Sequence, residues 1–150
     1  MVSTGYHDTG EEWAQKNAFR QDLITRDTTV EVLLYDDSTD ALTDASDIGD
    51  ITTEPTDGNY TRQTVTLDST DVSLSVSGGD LRAEAQVTFD VTDTTGTVDA
   101  TATVVDLQSD VVNAEGAQNP HLLYSATLDI GSIDLTDFTG VNATIRLNQD

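Results

Sequence analysis

Residues 81 to 91 read "LRAEAQVTFDV", and this stretch decides the fold. Leu81, Ala83, Ala85, Val87, Phe89 and Val91 occupy every second position, with Arg82, Glu84, Gln86, Thr88 and Asp90 between them. Successive side chains of an extended chain point to opposite faces, so this pattern predicts a half-buried β-strand. A helix would need its apolar residues three and four positions apart.

The same period runs outward in both directions. Toward the N-terminus, Val72, Leu74 and Val76 share a face, as do Val65 and Leu67, and as do Val30, Val32 and Leu34 of "TTVEVLLY" at 28–35. Toward the C-terminus come Val98, Ala100, Ala102 and Val104; then Leu122, Tyr124, Ala126, Leu128 and Ile130; then Val141, Ala143, Ile145 and Leu147. Breaks fall at "SGGD" (77–80), "DTTG" (93–96) and "GAQNP" (116–120). Some seven strands rich in Thr and Val predict a mainly β chain, an antiparallel β-sandwich with the jelly roll as one arrangement of it.

Only the N-terminal segment departs from this period. Thr9 and Glu12 have capping-box spacing, which predicts a short helix over 10–22 with Glu11 and Glu12 in its first turn and Arg20 near its end. Trp13, Ala14, Ala18 and Phe19 make a narrow apolar side that must dock on its own domain or on a neighbour. Residues 1–27 are therefore read as an arm with a short helix, and residues 28–150 as the β-sandwich domain. Leu, Ile, Val and Phe make up 36 of the 150 residues, above the roughly 20% below which disorder is the default. At this length one domain with one core is expected.

Charge sets the solvent. The chain carries 28 acids against 6 bases, a net −22, spread evenly: residues 1 to 75 hold 16 acids and 4 bases, residues 76 to 150 hold 12 and 2. Of the acids 22 are Asp, and Lys16 is the only lysine. This bias resembles proteins of extreme halophiles. Self-repulsion of so many charges is costly in dilute buffer, but at about 1 M salt the Debye length is roughly 3 Å and charges beyond it hardly interact.

The densest acidic stretch is "DDSTDALTDASDIGDITTEPTDG" at 36–58, a long connection between two predicted strands. Counted from Asp36, oxygen-bearing side chains at Ser38, Asp40, Asp44 and Asp47 follow EF-hand ligand spacing. Ala41 stands where the sharp turn needs Gly, and Asp47 where a bidentate Glu is usual, so the stretch is read as a solvated surface loop that recruits hydrated cations loosely. No metal, cofactor or catalytic residue is assigned. His7 and His121 are the only histidines, and both are expected at the surface; no nucleophile elbow or phosphate loop accompanies them. Asn59 and Asn142 begin glycosylation sequons, which Thr abundance alone would produce.

Other classes are disfavoured by what is absent. The six cations form no run that could neutralise phosphates, so no nucleic-acid partner is expected. No apolar stretch approaches the roughly 18 residues of a membrane span, and "MVSTGYHDTGEEW" lacks the basic and apolar regions of a secretion signal. With no cysteine there is no disulfide framework.

"DGNYTRQTV" at 57–65, "HLLYSATLDIGSIDL" at 121–135 and "VNATIRL" at 141–147 together resemble small β-rich virion structural proteins of tailed phages, of head-decoration, tail or fibre type. The matching residues are Gly58, Tyr60, Arg62 and Gln63, then Leu122, Leu123, Tyr124 and Ser125, and "GEEWAQKNAF" looks like the start of such proteins. The resemblance covers about residues 50–150, without the segment Asp68 to Asp110, and carries no catalytic residue. Tyr60 and Tyr124 are expected to pack in or at the edge of the sandwich with their hydroxyls at a polar rim. Together with the composition, the resemblance implies a virion protein of a tailed virus of a halophilic archaeon, not an enzyme: a capsid decoration or turret-like protein first, a tail, baseplate or fibre component second. A cell-surface β-sandwich binding module of a halophile is the cellular alternative. Expected partners are copies of itself as a homo-oligomer, the major capsid protein or other virion proteins, and the host cell surface.

Overall fold

The computed structural model describes residues 5–19, 29–105 and 122–147. The predicted alternation becomes strands. In chain order the elements are β1 (Gly5–Tyr6), α1 (Asp8–Phe19), β2 (Thr29–Tyr35), α2 (Asp37–Asp40), a 3₁₀ turn (Ile48–Asp50), β3 (Gln63–Thr66), β4 (Val72–Ser77) and β5 (Asp80–Asp90). They continue with β6 (Thr97–Val98), β7 (Ala100–Val105), β8 (Leu122–Thr127), β9 (Ile133–Asp134), a second 3₁₀ turn (Leu135–Asp137) and β10 (Gly140–Arg146). Every pairing among the described residues is antiparallel. Among the described residues the strands form sheets of five (β1-β8-β7-β2-β3), three (β10-β5-β4) and two (β6-β9).

The two larger sheets meet in one apolar cluster, a sandwich-like arrangement. Ala85, Val87 and Phe89 of β5 and Val141 and Ile145 of β10 join Val30, Val32 and Leu34 of β2 and Val65 of β3. The ring of Phe89 stacks on Tyr60 with centroids 5.9 Å apart. The register pairs Val87 with Ala143 and Phe89 with Val141, so the alternation of "LRAEAQVTFDV" is matched across its neighbour.

β2 is buried on both faces. Leu33 and Tyr35 point away from the first cluster into a second one, with Leu42, Ala100, Ala102, Val104 and Leu122, against which Ile48 and Ile51 pack. This is why "VEVLLY" changes from alternation to a continuous apolar run: its C-terminal half has no face left for water.

Three sequence expectations change and one open alternative is decided. The helix starts at Asp8, so Thr9 lies inside it, and its hydroxyl donates to the Leu122 carbonyl at 2.7 Å instead of capping. α1 docks on its own domain, lying on β8 so closely that a Cβ at Gly10 would overlap the Leu123 backbone; the helix's expected continuation, residues 20–22, falls outside the described residues. Within the apolar side Trp13 packs against the main cluster while Phe19 is exposed. Finally, Leu74, Val76, Leu81 and Ile130 follow the inward period yet are exposed.

Phe89 is fully buried, so Phe89→Ala is expected to lower unfolding stability by about 3–5 kcal/mol, measured by denaturant titration in concentrated salt.

Candidate functional site

The face of β2, β7 and β8 turned away from the three-stranded sheet is apolar and needs a cover. The acidic connection supplies it. Leu42 is fully buried there and Ile48 and Ile51 pack beside it, while Asp44, Asp47, Asp50 and Asp57 are exposed. The stretch is therefore a folded cover with an apolar underside, which corrects its reading as a solvated loop.

So few apolar residues cannot shape twenty-three residues of chain, and the backbone is held by carboxylates instead. Asp40 accepts from the Thr52 N–H (3.1 Å) and hydroxyl (2.6 Å) and from the Thr53 N–H (3.2 Å) and hydroxyl (2.6 Å), closing the inner loop. Asp47 accepts from the Gly49 N–H at 2.7 Å and Asp50 from the Asp47 N–H at 3.0 Å, a capping box on the 3₁₀ turn. The first turn of α2 is capped from outside. Its own N-cap Asp36 makes no side-chain cap bond, and Asp99, between β6 and β7, accepts from the N–H groups of Asp37 (2.7 Å) and Ser38 (3.3 Å) and from the Ser38 hydroxyl (2.6 Å).

The same pairing recurs outside the cover. Asp57 accepts from the Thr95 N–H (2.9 Å) and hydroxyl (2.5 Å), Asp68 from the Thr70 N–H (2.7 Å), Asp90 from the Thr92 N–H (3.0 Å), and Asp134 from the Thr136 N–H (3.0 Å) and hydroxyl (2.7 Å). Three of these reach two residues along the chain, the Asx turn, which suits the short Asp side chain. The bias toward Asp thus has a local cause. These bonds hold the carboxyls below the ordinary value: the Thr95 hydroxyl does so for Asp57, the Thr70 and Thr92 amides for Asp68 and Asp90, and the Thr136 hydroxyl for Asp134. At Asp40 partial burial pushes upward, and the Thr52 and Thr53 donors together outweigh it.

The EF-hand spacing does not become a cage. Asp36 accepts from the Thr39 hydroxyl at 2.8 Å, Ser38 donates to Asp99, Asp40 serves Thr52 and Thr53, Asp47 caps its own turn, and the Asp44 carbonyl receives the Asp8 N–H at 2.9 Å. Among the described residues no group of three or more His, Asp or Glu is placed to hold a metal ion.

The far end of the cover is pinned by residues of the "DGNYTRQ" stretch. The Arg62 fork donates to both oxygens of Glu54 (2.8 and 2.7 Å), with Glu31 of β2 3.8 Å from the same guanidinium. The Tyr60 hydroxyl accepts from the Leu34 N–H (3.0 Å) and donates to Glu54 (3.2 Å), a polar tip on a ring buried against Phe89. Gly58 has φ +62° and lies against the Asp93 backbone where a Cβ would overlap. These residues are framework. So is Tyr124, which is buried in the main cluster.

His7 is 1% exposed, contrary to the surface position expected from sequence. Its Nδ1 is 2.9 Å from the Thr43 carbonyl, which can only accept, so Nδ1 carries the proton and Nε2 accepts from the Ser125 hydroxyl at 2.8 Å. Beside it the Tyr35 hydroxyl and the Leu42 N–H both donate to the buried Asp37, at 3.2 and 3.1 Å. This polar network joins the N-terminal arm, the cover and β8. Burial pushes the His7 imidazole below its ordinary pKa and the Tyr35 phenol above its own. Ser125 and His7 have the contact of a nucleophile and its base, and both are buried, at 0% and 1% exposure. His121 lies outside the described residues. Both sequon asparagines are exposed; Asn59 donates to Asp90 at 3.2 Å and Asn142 accepts from Thr88 at 2.7 Å.

No protein-family model, no curated protein and no solved structure matches this chain.

Acid should loosen this framework in two stages. A folded-state pKa below the unfolded value means that the unfolded chain binds more protons, so stability is complete above the unfolded value and falls as pH drops toward the folded one. For His7 the loss begins near pH 6.5, and for Asp40, Asp57, Asp68, Asp90 and Asp134 near pH 3.8. The expected melting temperature in concentrated salt is flat above the first value, declines gently below it and steeply below the second; His7→Gln is expected to remove the upper decline only.

Proposed function

We propose that this chain is a virion structural protein of a tailed virus infecting a halophilic archaeon, a capsid decoration or turret-like protein on the outer surface. The observation that carries the reading is a net −22 coat on a chain with one lysine, which at about 1 M salt or above is screened within roughly 3 Å. Sequence stretches resembling virion proteins of tailed phages support it: Gly58, Tyr60, Arg62 and Leu122 to Ser125 stand at framework positions, where a fold would keep them whatever surface it presents. The partners are further copies of the chain and the major capsid protein. At the end of α1, Phe19 is 80% exposed, an apolar contact on the arm suited to a neighbouring virion protein. A tail, baseplate or fibre position is the second reading within the same particle.

The test is to purify particles from a halophilic culture and find the chain by mass spectrometry and in a density map. Density for this fold at symmetry-related positions outside the shell is the expected result. Recovery of the chain only from host cytoplasm, with none in particles, would overturn the proposal.

A further inference from the structure

The three-stranded sheet ends in an unguarded edge. Among the described residues β4 pairs with β5 on one side only, and its sequence, "VSLSVS", holds no charge and no proline. Soluble proteins blunt edge strands with charges, prolines or bulges, because open N–H and C=O groups invite another strand. A chain with 28 acids places none on β4.

The apolar face of that edge overhangs the core. Val72, Leu74 and Val76 stand opposite Ala85, Ala83 and Leu81 of β5 and continue the inward face of the sheet. The five-stranded sheet does not reach them, since its edge strand β3 ends at Thr66. Leu74 is 70% exposed, Val76 73% and Leu81 59%. Beside them a groove of about 530 Å³ is lined by Leu67, Val72, Leu74, Ala83 and Leu147.

We infer that β4 pairs antiparallel with β4 of a second copy, giving a two-fold dimer with a continuous six-stranded sheet that covers Leu74, Val76 and Leu81. Charge selects this occupant. A basic partner would be attracted to most of a −22 surface, and nothing singles out a neutral strip for it. The strip is where two such bodies can touch without bringing carboxylates together. The acids beside it are turned to other work or set back from the edge: Asp68 accepts from the Thr70 N–H at 2.7 Å and Asp71 from the Thr66 N–H at 2.6 Å, while Glu84 and Asp80 stand on β5, opposite Ser73 and Ser77 and one strand away from the open edge. The strand is also self-complementary. Antiparallel pairing about a two-fold axis keeps the two-residue period, so Val72, Leu74 and Val76 of both copies share one face and Ser73 and Ser75 the other. Main-chain hydrogen bonds then supply affinity and the apolar overhang supplies register.

The inference goes beyond a place in a virion and is tested on the purified chain, so absence from particles would leave it standing. Sedimentation equilibrium at about 3 M salt is expected to show a dimer that dissociates toward about 0.1 M, as screening falls and carboxylate repulsion extends to about 10 Å. The double variant Leu74→Lys with Val76→Lys is expected to weaken dimerisation at least tenfold, with an unchanged circular dichroism spectrum. Hydrogen exchange on the unaltered chain covers the case in which the variant fails to fold: β4 amides should be protected at high protein concentration and lose protection on dilution. A monomer at every concentration in about 3 M salt, a dimer that tightens as salt falls toward about 0.1 M, or β4 amides equally exposed at both protein concentrations would overturn the inference.

Discussion

The structure rests on one short-range interaction: an Asp carboxylate accepting from a nearby backbone N–H, often together with a Thr hydroxyl. Asp40 uses it to close the inner loop of the acidic cover, Asp99 to start α2, and Asp57 to tie the cover's end to Thr95. Without these bonds Leu42, Ile48 and Ile51 would have to shape the cover by burial alone. The consequences run inward. A held cover lets Leu33, Tyr35 and Leu122 stay dry, and a dry second face lets β2 and β8 carry apolar residues on both sides. A chain of modest apolar content thereby gains a second cluster.

Salt and hydrogen bonding act on the same carboxylates without competing. Each turn-capping Asp has oxygen lone pairs to spare, and Asp57, Asp68, Asp90 and Asp134 all stand on exposed positions. Their charge still repels that of their neighbours, so a medium that screens beyond a few ångström is the condition under which so many caps can coexist. Local geometry accounts for the choice of Asp over Glu at these caps. The cover has no cation of its own; Arg62, just beyond its end, meets Glu54 and Glu31.

Strands were legible because a period of two survives any tertiary context. "LRAEAQVTFDV" became β5 with Ala85, Val87 and Phe89 inside. What the period could not say is how far the opposing sheet extends, so Leu74, Val76 and Leu81 read like core and lie in the open. The cover was illegible for a different reason. Its bonds join Asp37 to Asp99, Asp40 to Thr53 and His7 to Ser125, pairs with no local signature across 62, 13 and 118 positions. Outside the cover a sequence signal did exist, the spacing Asp-x-Thr at 68–70, 90–92 and 134–136, hidden among so many acids. Thr9 shows the limit of cap spacing: the Leu122 carbonyl offered its hydroxyl a partner that no local pattern records.

The central claim is that these aspartates act through the reach of a short acceptor as well as through charge. Asp68 and Asp134 separate the two, because in each a single oxygen, Oδ1, accepts the turn N–H. Melting temperature in concentrated salt, measured for the double Asn variant and the double Glu variant at these positions, tests the claim most directly. Asn keeps the acceptor and removes the charge; Glu keeps the charge and moves the acceptor one methylene away. The account expects the Glu variant to melt lower than the Asn variant; a Glu variant that melts with the unaltered protein while the Asn variant falls would contradict it.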